Sequence, residues 1–174
     1  MIVSGRKSRL THVDAANRPT MVDVGAKQAT LREASAEAVV SLPPVVAREL
    51  KRTGHRTKKG PVFDTAIVAG VMAAKKTHEI VPFCHPLPIE RCTVDITDRP
   101  GGKIRVVCSV AVHHKTGVEM EALVGATAAA LTIYDMCKAL SHDIVLGPVR
   151  LLTKSGGKRD FARQGATRTG RPRK

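Results

Sequence analysis

Near the end of the longest apolar stretch the chain reads LTIYDMCKAL, with Asp135 and Lys138 three residues apart among Leu131, Ile133, Met136 and Leu140. At that spacing two side chains share one helix face, roughly 5–6 Å apart at Cβ. They can make a surface ion pair or, held among apolar neighbours, carry protons with displaced pKa values. Other polar residues also stand where folding alone does not need them. These are Lys58 and Lys59 in a basic loop, Cys84 and His85 between prolines, Glu119 and Glu121 at a helix start, and Lys154 with Lys158 around Gly156 and Gly157. Each has a plainer account as well. Acidic groups in a first turn oppose the helix dipole, and KSGGKRD has neither the spacing nor the following helix of a phosphate loop. For His85, the stiff VPFCHPLP frame favours function, because preorganised groups bind better than mobile ones.

The elements that must hold these residues follow from periodicity and punctuation. Up to about Leu31 the chain reads as an extended arm. Arg32 to Ser41 reads as a strand, with Val39 and Val40 ahead of a Leu42-Pro43-Pro44 break. PPVVARELKRTG has prolines at a helix start and Gly54 past its end, and VFDTAIVAGVMAAKKT is a second, substantially buried helix. Residues alternate in polarity from Arg91 to Ile96 and from Ile104 to Val112, around a turn at Arg99-Pro100-Gly101-Gly102, which predicts a hairpin with one buried face. GVEMEALVGATAAALTIYDMCKAL is a long helix, and DIVLGPVRLLTK a strand interrupted at Gly147-Pro148. This order predicts an α+β, ferredoxin-like βαββαβ domain, with an antiparallel sheet, helices on one face and an N-terminal arm. One domain spans 1–158, and 159–174 is a basic, disordered tail.

The 174 residues are 43% hydrophobic, enough for a single core. With no signal-like leader and no apolar run of membrane-span length, a soluble, cytoplasmic protein is expected. The four cysteines, Cys84, Cys92, Cys108 and Cys137, include no CxxC pair and are expected to be reduced thiols. Clustered Cys and His ligands are missing, so no metal site is assigned. The net charge of +14 raises nucleic-acid binding, but half of it lies from Lys154 onward, where eight Lys or Arg face one Asp. Aromatics make up 2% of the chain, with no Trp, leaving no platform for stacking bases, so no specific nucleic acid is expected. A lysine- and arginine-rich core also suits a substrate bearing several phosphates.

Together KKGPVFDTAIVAGVMAAKKT, PFCHPLPIE, KTGVEMEAL, LTIYDMCKAL and GPVRLLTKSGGK, with LTHVDAANRPTMVDVGAK before them, resemble the molybdenum cofactor biosynthesis protein C family from about Leu10 to Lys158. The resemblance implies a ferredoxin-like protomer in a hexamer, a trimer of dimers. It also implies a lyase of molybdenum cofactor biosynthesis. That enzyme rearranges a GTP-derived small molecule, 3',8-cyclo-7,8-dihydro-GTP supplied by an upstream radical SAM partner, to cyclic pyranopterin monophosphate with release of pyrophosphate. Carried over by position, Asp135 is the acid/base, and Lys138 and Lys59 are catalytic lysines. Phe83, Cys84, His85, Glu119, Met120 and Glu121 bind substrate, with Lys154 on the phosphate side, and Arg32 is also assigned to the substrate. Three positions depart from the family pattern: Pro61 gives KGP for KGD, Ile67 stands for an arginine, and Phe83 for leucine.

Such chemistry moves protons on nitrogen and oxygen, for which a carboxylate and a lysine serve, and it develops charge on a leaving pyrophosphate, which lysines answer. No cofactor is required, although Mg²⁺ could accompany the triphosphate. Glu121 and Asp135 are fourteen helical steps apart, about 21 Å at ~1.5 Å per residue. If both ends of this helix serve one active site, two chains must build it at a subunit interface. Two other readings compete: a basic nucleic-acid-binding domain, and an inactive subunit that holds pterin intermediates without turnover.

Overall fold

The computed structural model describes Val13, Ala16 and residues 18–165. Its elements are β1 (Thr30–Ser41), α1 (Pro44–Arg52), β2 (Arg56–Thr57), β3 (Gly60–Pro61), α2 (Val62–Lys75), α3 (Thr77–Ile80), β4 (Arg91–Arg99), β5 (Lys103–His114), α4 (Glu119–Cys137), β6 (Val145–Ser155) and β7 (Phe161–Ala162). The main sheet runs β4-β5-β1-β6-β7, every adjacent pair antiparallel. Without the added β7 this is the ferredoxin-like βαββαβ order. The two central strands are the first and third long ones, because each helical crossover skips over one strand.

Alternation decides which side of the sheet is covered. Ala34, Ala36, Ala38 and Val40 of β1 join Ile104, Val106, Cys108, Val110 and Val112 of β5 in one core. Helix α4 meets it with Ala122, Ala126, Ala129, Ala130 and Ile133, a stripe at helical spacing. Small residues also let α2 and α4 touch. A Cβ on Gly70 would lie 2.9 Å from the Gly125 carbonyl oxygen and 3.2 Å from Ala129 Cβ. The other face of the sheet is polar, and it still buries Glu37, whose carboxylate bridges Arg105 Nε at 2.6 Å and Arg150 Nε at 2.7 Å.

Several details depart from the sequence reading. β6 continues through Gly147-Pro148, a cis peptide, and absorbs the two residues as a register shift between Ala38 and Val40 of β1. The loop HRTKKGP contains a short β2–β3 ladder, and a single-turn α3 follows α2. In the stretch assigned to a tail, Phe161–Ala162 pair with Thr153 and Lys154 as β7, while 166–174 lie outside the described residues. The start of the arm, to His12, also lies outside them. No helix among the described residues is long and apolar enough to cross a membrane.

Candidate functional site

At the C-terminal end of α4, Asp135 is gripped by two lysines. Lys138, the C-cap residue one turn on, places Nζ 2.8 Å from Oδ1. Lys59 donates to Oδ2 at 2.6 Å and to the Asp135 main-chain carbonyl at 2.9 Å. Lys59 reaches there from the β2–β3 turn, where its N–H bonds Thr57 Oγ1 at 3.2 Å. The base of that turn is held by His55, at φ +60°. The His55 carbonyl accepts the Val62 N–H at 2.9 Å, its ring stacks on Phe63 at 4.1 Å, and Nε2 lies 2.8 Å from Asp98 Oδ2. Pro61 caps α2 and accepts a hydrogen bond from Thr65 Oγ1 at 2.6 Å, so the departure from KGD leaves Lys59 able to reach Asp135.

Of the two alternatives that the sequence leaves open for Asp135 and Lys138, the structure has the exposed ion pair. Both side chains are about half exposed, at 50% and 48%. The hydrogen bonds from Lys138 and then Lys59 hold the Asp135 carboxyl at about 2, and Asp135 in turn raises Lys138. Near neutral pH this is a fixed anion between two cations. The three line an open cleft of about 400 Å³ with Leu140, Ser141 and His142.

At the other end of α4 lies a second cavity, about 350 Å³, lined by Arg32, His85, Glu119 and Lys154. Arg32 is aimed by the β5 terminus, its Nε donating to the His114 carbonyl at 3.1 Å. Lys154 on β6 lies 2.8 Å from Glu119 Oε1. The turn after β6 closes tightly over β1: Gly156 has φ +80°, and a Cβ there would lie 1.8 Å from the Leu31 carbonyl oxygen. Lys27, Lys115 and Lys158 add charge to the same cavity, making it a receptor for an anion rather than an apolar pocket. Lys115 was legible only as part of a KTG turn, and nothing local marks Lys27.

Glu121 is 3% exposed on the same helix turn, and burial raises its carboxyl to about 7, with Glu119 adding to the rise. Cys84 is raised by its own burial and then by the Glu121 charge, which brings these two together. Phe83 and Met120, 37% and 38% exposed, line neither cavity. Nine of the eleven predicted site residues therefore fall into two groups, Lys59, Asp135 and Lys138 at one end of α4 and the Arg32, His85, Glu119, Lys154 cavity with neighbouring Cys84 and Glu121 at the other, while Phe83 and Met120 belong to neither. Among the described residues no cluster of three or more His, Cys, Asp or Glu could hold a metal ion.

A five-stranded ferredoxin-like sheet, with ionic clefts at both ends of its long covering helix, defines a small α+β protein equipped for an anionic ligand. The chain belongs to the MoaC family, whose model matches residues 21–157. It is 55% identical over 154 residues to the cyclic pyranopterin monophosphate synthase of Xanthomonas campestris pv. campestris (strain B100), spanning 88% of this chain and 93% of that protein. To the cyclic pyranopterin monophosphate synthase of Xanthomonas oryzae pv. oryzae (strain MAFF 311018) it is 53% identical over 161 residues, 92% of this chain and 98% of the relative.

Proposed function

We propose that this chain is a cyclic pyranopterin monophosphate synthase of molybdenum cofactor biosynthesis, converting 3',8-cyclo-7,8-dihydro-GTP to cyclic pyranopterin monophosphate and pyrophosphate. The observation that carries the reading is the Lys59–Asp135–Lys138 bridge in an open cleft, on a chain of this family. The lysines supply positive charge where a phosphate ester closes and pyrophosphate leaves. Asp135, ionised at neutral pH, orients both ammonium groups and accepts a proton as the ring rearranges. The cavity of Arg32, His85 and Lys154 receives the polyphosphate end, and Glu119, Met120 and Glu121 with Phe83 and Cys84 flank the heterocycle. No residue of this chain is assigned to a metal, and Mg²⁺ would be carried by the substrate's phosphates.

The two clefts sit at opposite ends of a helix of nineteen residues, farther apart than one nucleotide-sized molecule readily bridges. A second copy of the chain supplies the missing half, so each active site is composite and the working form is an oligomer, a trimer of dimers. An upstream radical SAM enzyme delivers the substrate. The test incubates purified protein with the cyclised dihydro-GTP and follows both products by mass spectrometry, with Asp135→Asn and Lys138→Ala alongside. Product from the wild type and at least about a hundredfold less from either variant is expected, while a folded wild type that gives no product overturns the reading. Mixing Glu121→Ala with Asp135→Ala should restore partial activity through hybrid sites. Verified mixed oligomers without recovery would reject the composite site.

A further inference from the structure

Cys92 and Cys108 stand opposite each other diagonally on the β4–β5 ladder, where Cys92 pairs with Val110 and Cys108 with Val94. Both point to the helix-covered face, and their Sγ atoms lie 3.9 Å apart. Their surroundings differ. Cys108 is fully buried, and its sulfur rests on the bare backbone of Gly125, where a Cβ would come within 2.6 Å. Cys92 is half-buried on β4, the edge strand. Cys92 is thus the less buried of the two, packed at the margin of the core, and Cys108 lies inside it.

We propose that Cys92 and Cys108 are a reversible oxidation site for hydroperoxides, with Cys92 the attacking thiol and Cys108 the resolving one. Contact with Cys108 lowers the Cys92 thiol, against burial and with help from the Lys75 ammonium, whereas the same contact and burial raise Cys108. The Cys92 thiolate attacks the outer peroxide oxygen. An S–O bond forms, the O–O bond breaks, and the alcohol or water leaves with a proton, so that sulfur is oxidised and peroxide reduced by two electrons. The Cys108 sulfur then attacks Cys92, forming the S–S bond and expelling the oxygen as water with the Cys108 proton. In sum, two thiols and one hydroperoxide give a disulfide, an alcohol and water. Bonding distance is about 2 Å, so the sulfurs approach by roughly the same again, which for a diagonal pair takes a shift of the β4 edge strand as well as rotation of Cys92. The other two thiols compete poorly, since burial, with Glu121, raises Cys84 and burial raises Cys137 to about 11. This chemistry is independent of the proposed reaction, because neither sulfur lines the two clefts.

The reduced full chain is titrated with hydrogen peroxide, quenched, alkylated and mapped by peptide mass spectrometry. Alkylatable thiols should fall to half of the four present, with one crosslinked peptide joining Cys92 to Cys108 that dithiothreitol restores. In Cys108→Ala, Cys92 should instead stop as a sulfenic acid that dimedone captures. Should that variant fail to fold, the wild-type map decides alone. Sulfinic acid on Cys92 with Cys108 still alkylated, a disulfide through Cys84, or four intact thiols at peroxide levels that oxidise free cysteine would each overturn the proposal.

Discussion

Replacing Glu121 with glutamine should change how stability responds to pH, in a direction that burial dictates. The carboxyl is 3% exposed, and burial moves it from 4.5 to about 7. Between those values the folded chain holds a proton that the unfolded chain has lost, so stability falls as pH rises. The contribution is fully present below 4.5 and gone above 7. At ~1.4 kcal/mol per pH decade the full change is about 3 kcal/mol. Glu121→Gln keeps the shape and removes the titration. The variant should match the wild type near pH 4.5 and exceed it by about 2–3 kcal/mol at pH 8. The assay is urea unfolding at fixed protein concentration across that window, because subunit association would make the midpoint concentration-dependent. Other titrating groups cancel in the difference between the two proteins. An unchanged difference from pH 4.5 to 8 would refute the claim that this carboxyl is desolvated in the fold.

Asp135→Asn should leave stability within about 1 kcal/mol, because the bridge is half exposed, yet lower turnover of the cyclised dihydro-GTP by about 10²–10⁴-fold; a comparable loss of melting temperature would make the bridge structural. Gly70→Ala should destabilise by about 2 kcal/mol through the clash with the Gly125 carbonyl, read by thermal unfolding. Glu37→Gln should cost about 2 kcal/mol at pH 7 by stranding Arg105 and Arg150. Burial opposes ionisation of Glu37, but the hydrogen bonds from Arg105 and Arg150 outweigh it and lower the carboxyl. Its stabilisation is therefore complete above 4.5 and lost with acidification, and the wild type and the variant should converge in acid.

The long elements were legible because one period dominated each. Val106, Cys108, Val110 and Val112 alternate without a break, and the small residues of α4 recur at helical spacing, so hairpin and helix follow from burial alone. The short elements were not. β2 and β3 are two residues each, too short for any period, and their turn is fixed by tertiary contacts such as Lys59 to Asp135, which spans 76 positions. β7 exists because β6 offers an edge, a feature of the finished sheet. In the site, the i, i+3 spacing correctly set Asp135 beside Lys138. Their exposure stayed open in the sequence, because the apolar neighbours at positions 131 and 140 that argue for burial are themselves exposed. The raised Glu121 shows in sequence only as the position four residues before Gly125 on the small-residue stripe of α4. Glu119 and Glu121 both look like first-turn acids, and only their rotation about the helix axis, two residues or roughly 200° apart, sends one to Lys154 and the other into the core.

That rotation bears on which group carries protons in the proposed reaction. A general acid or base works best when its pKa lies near the working pH. Asp135, held at about 2 by Lys138 and Lys59, stays ionised throughout the physiological range and returns a proton readily once it has accepted one. Glu121, raised to about 7 by burial, is present in both forms at neutral pH and can donate as well as accept. Two carboxylates in opposite environments thereby divide the work, one as a standing anion that sets two lysines and one as a reservoir. The pH dependence of kcat/KM tests this division, because it reports groups of the free enzyme. A limb near pH 7 should appear in the wild type, survive in the residual activity of Asp135→Asn, and vanish in Glu121→Gln. A limb that persists in Glu121→Gln would assign the titration to another group and leave Glu121 as a binding residue only.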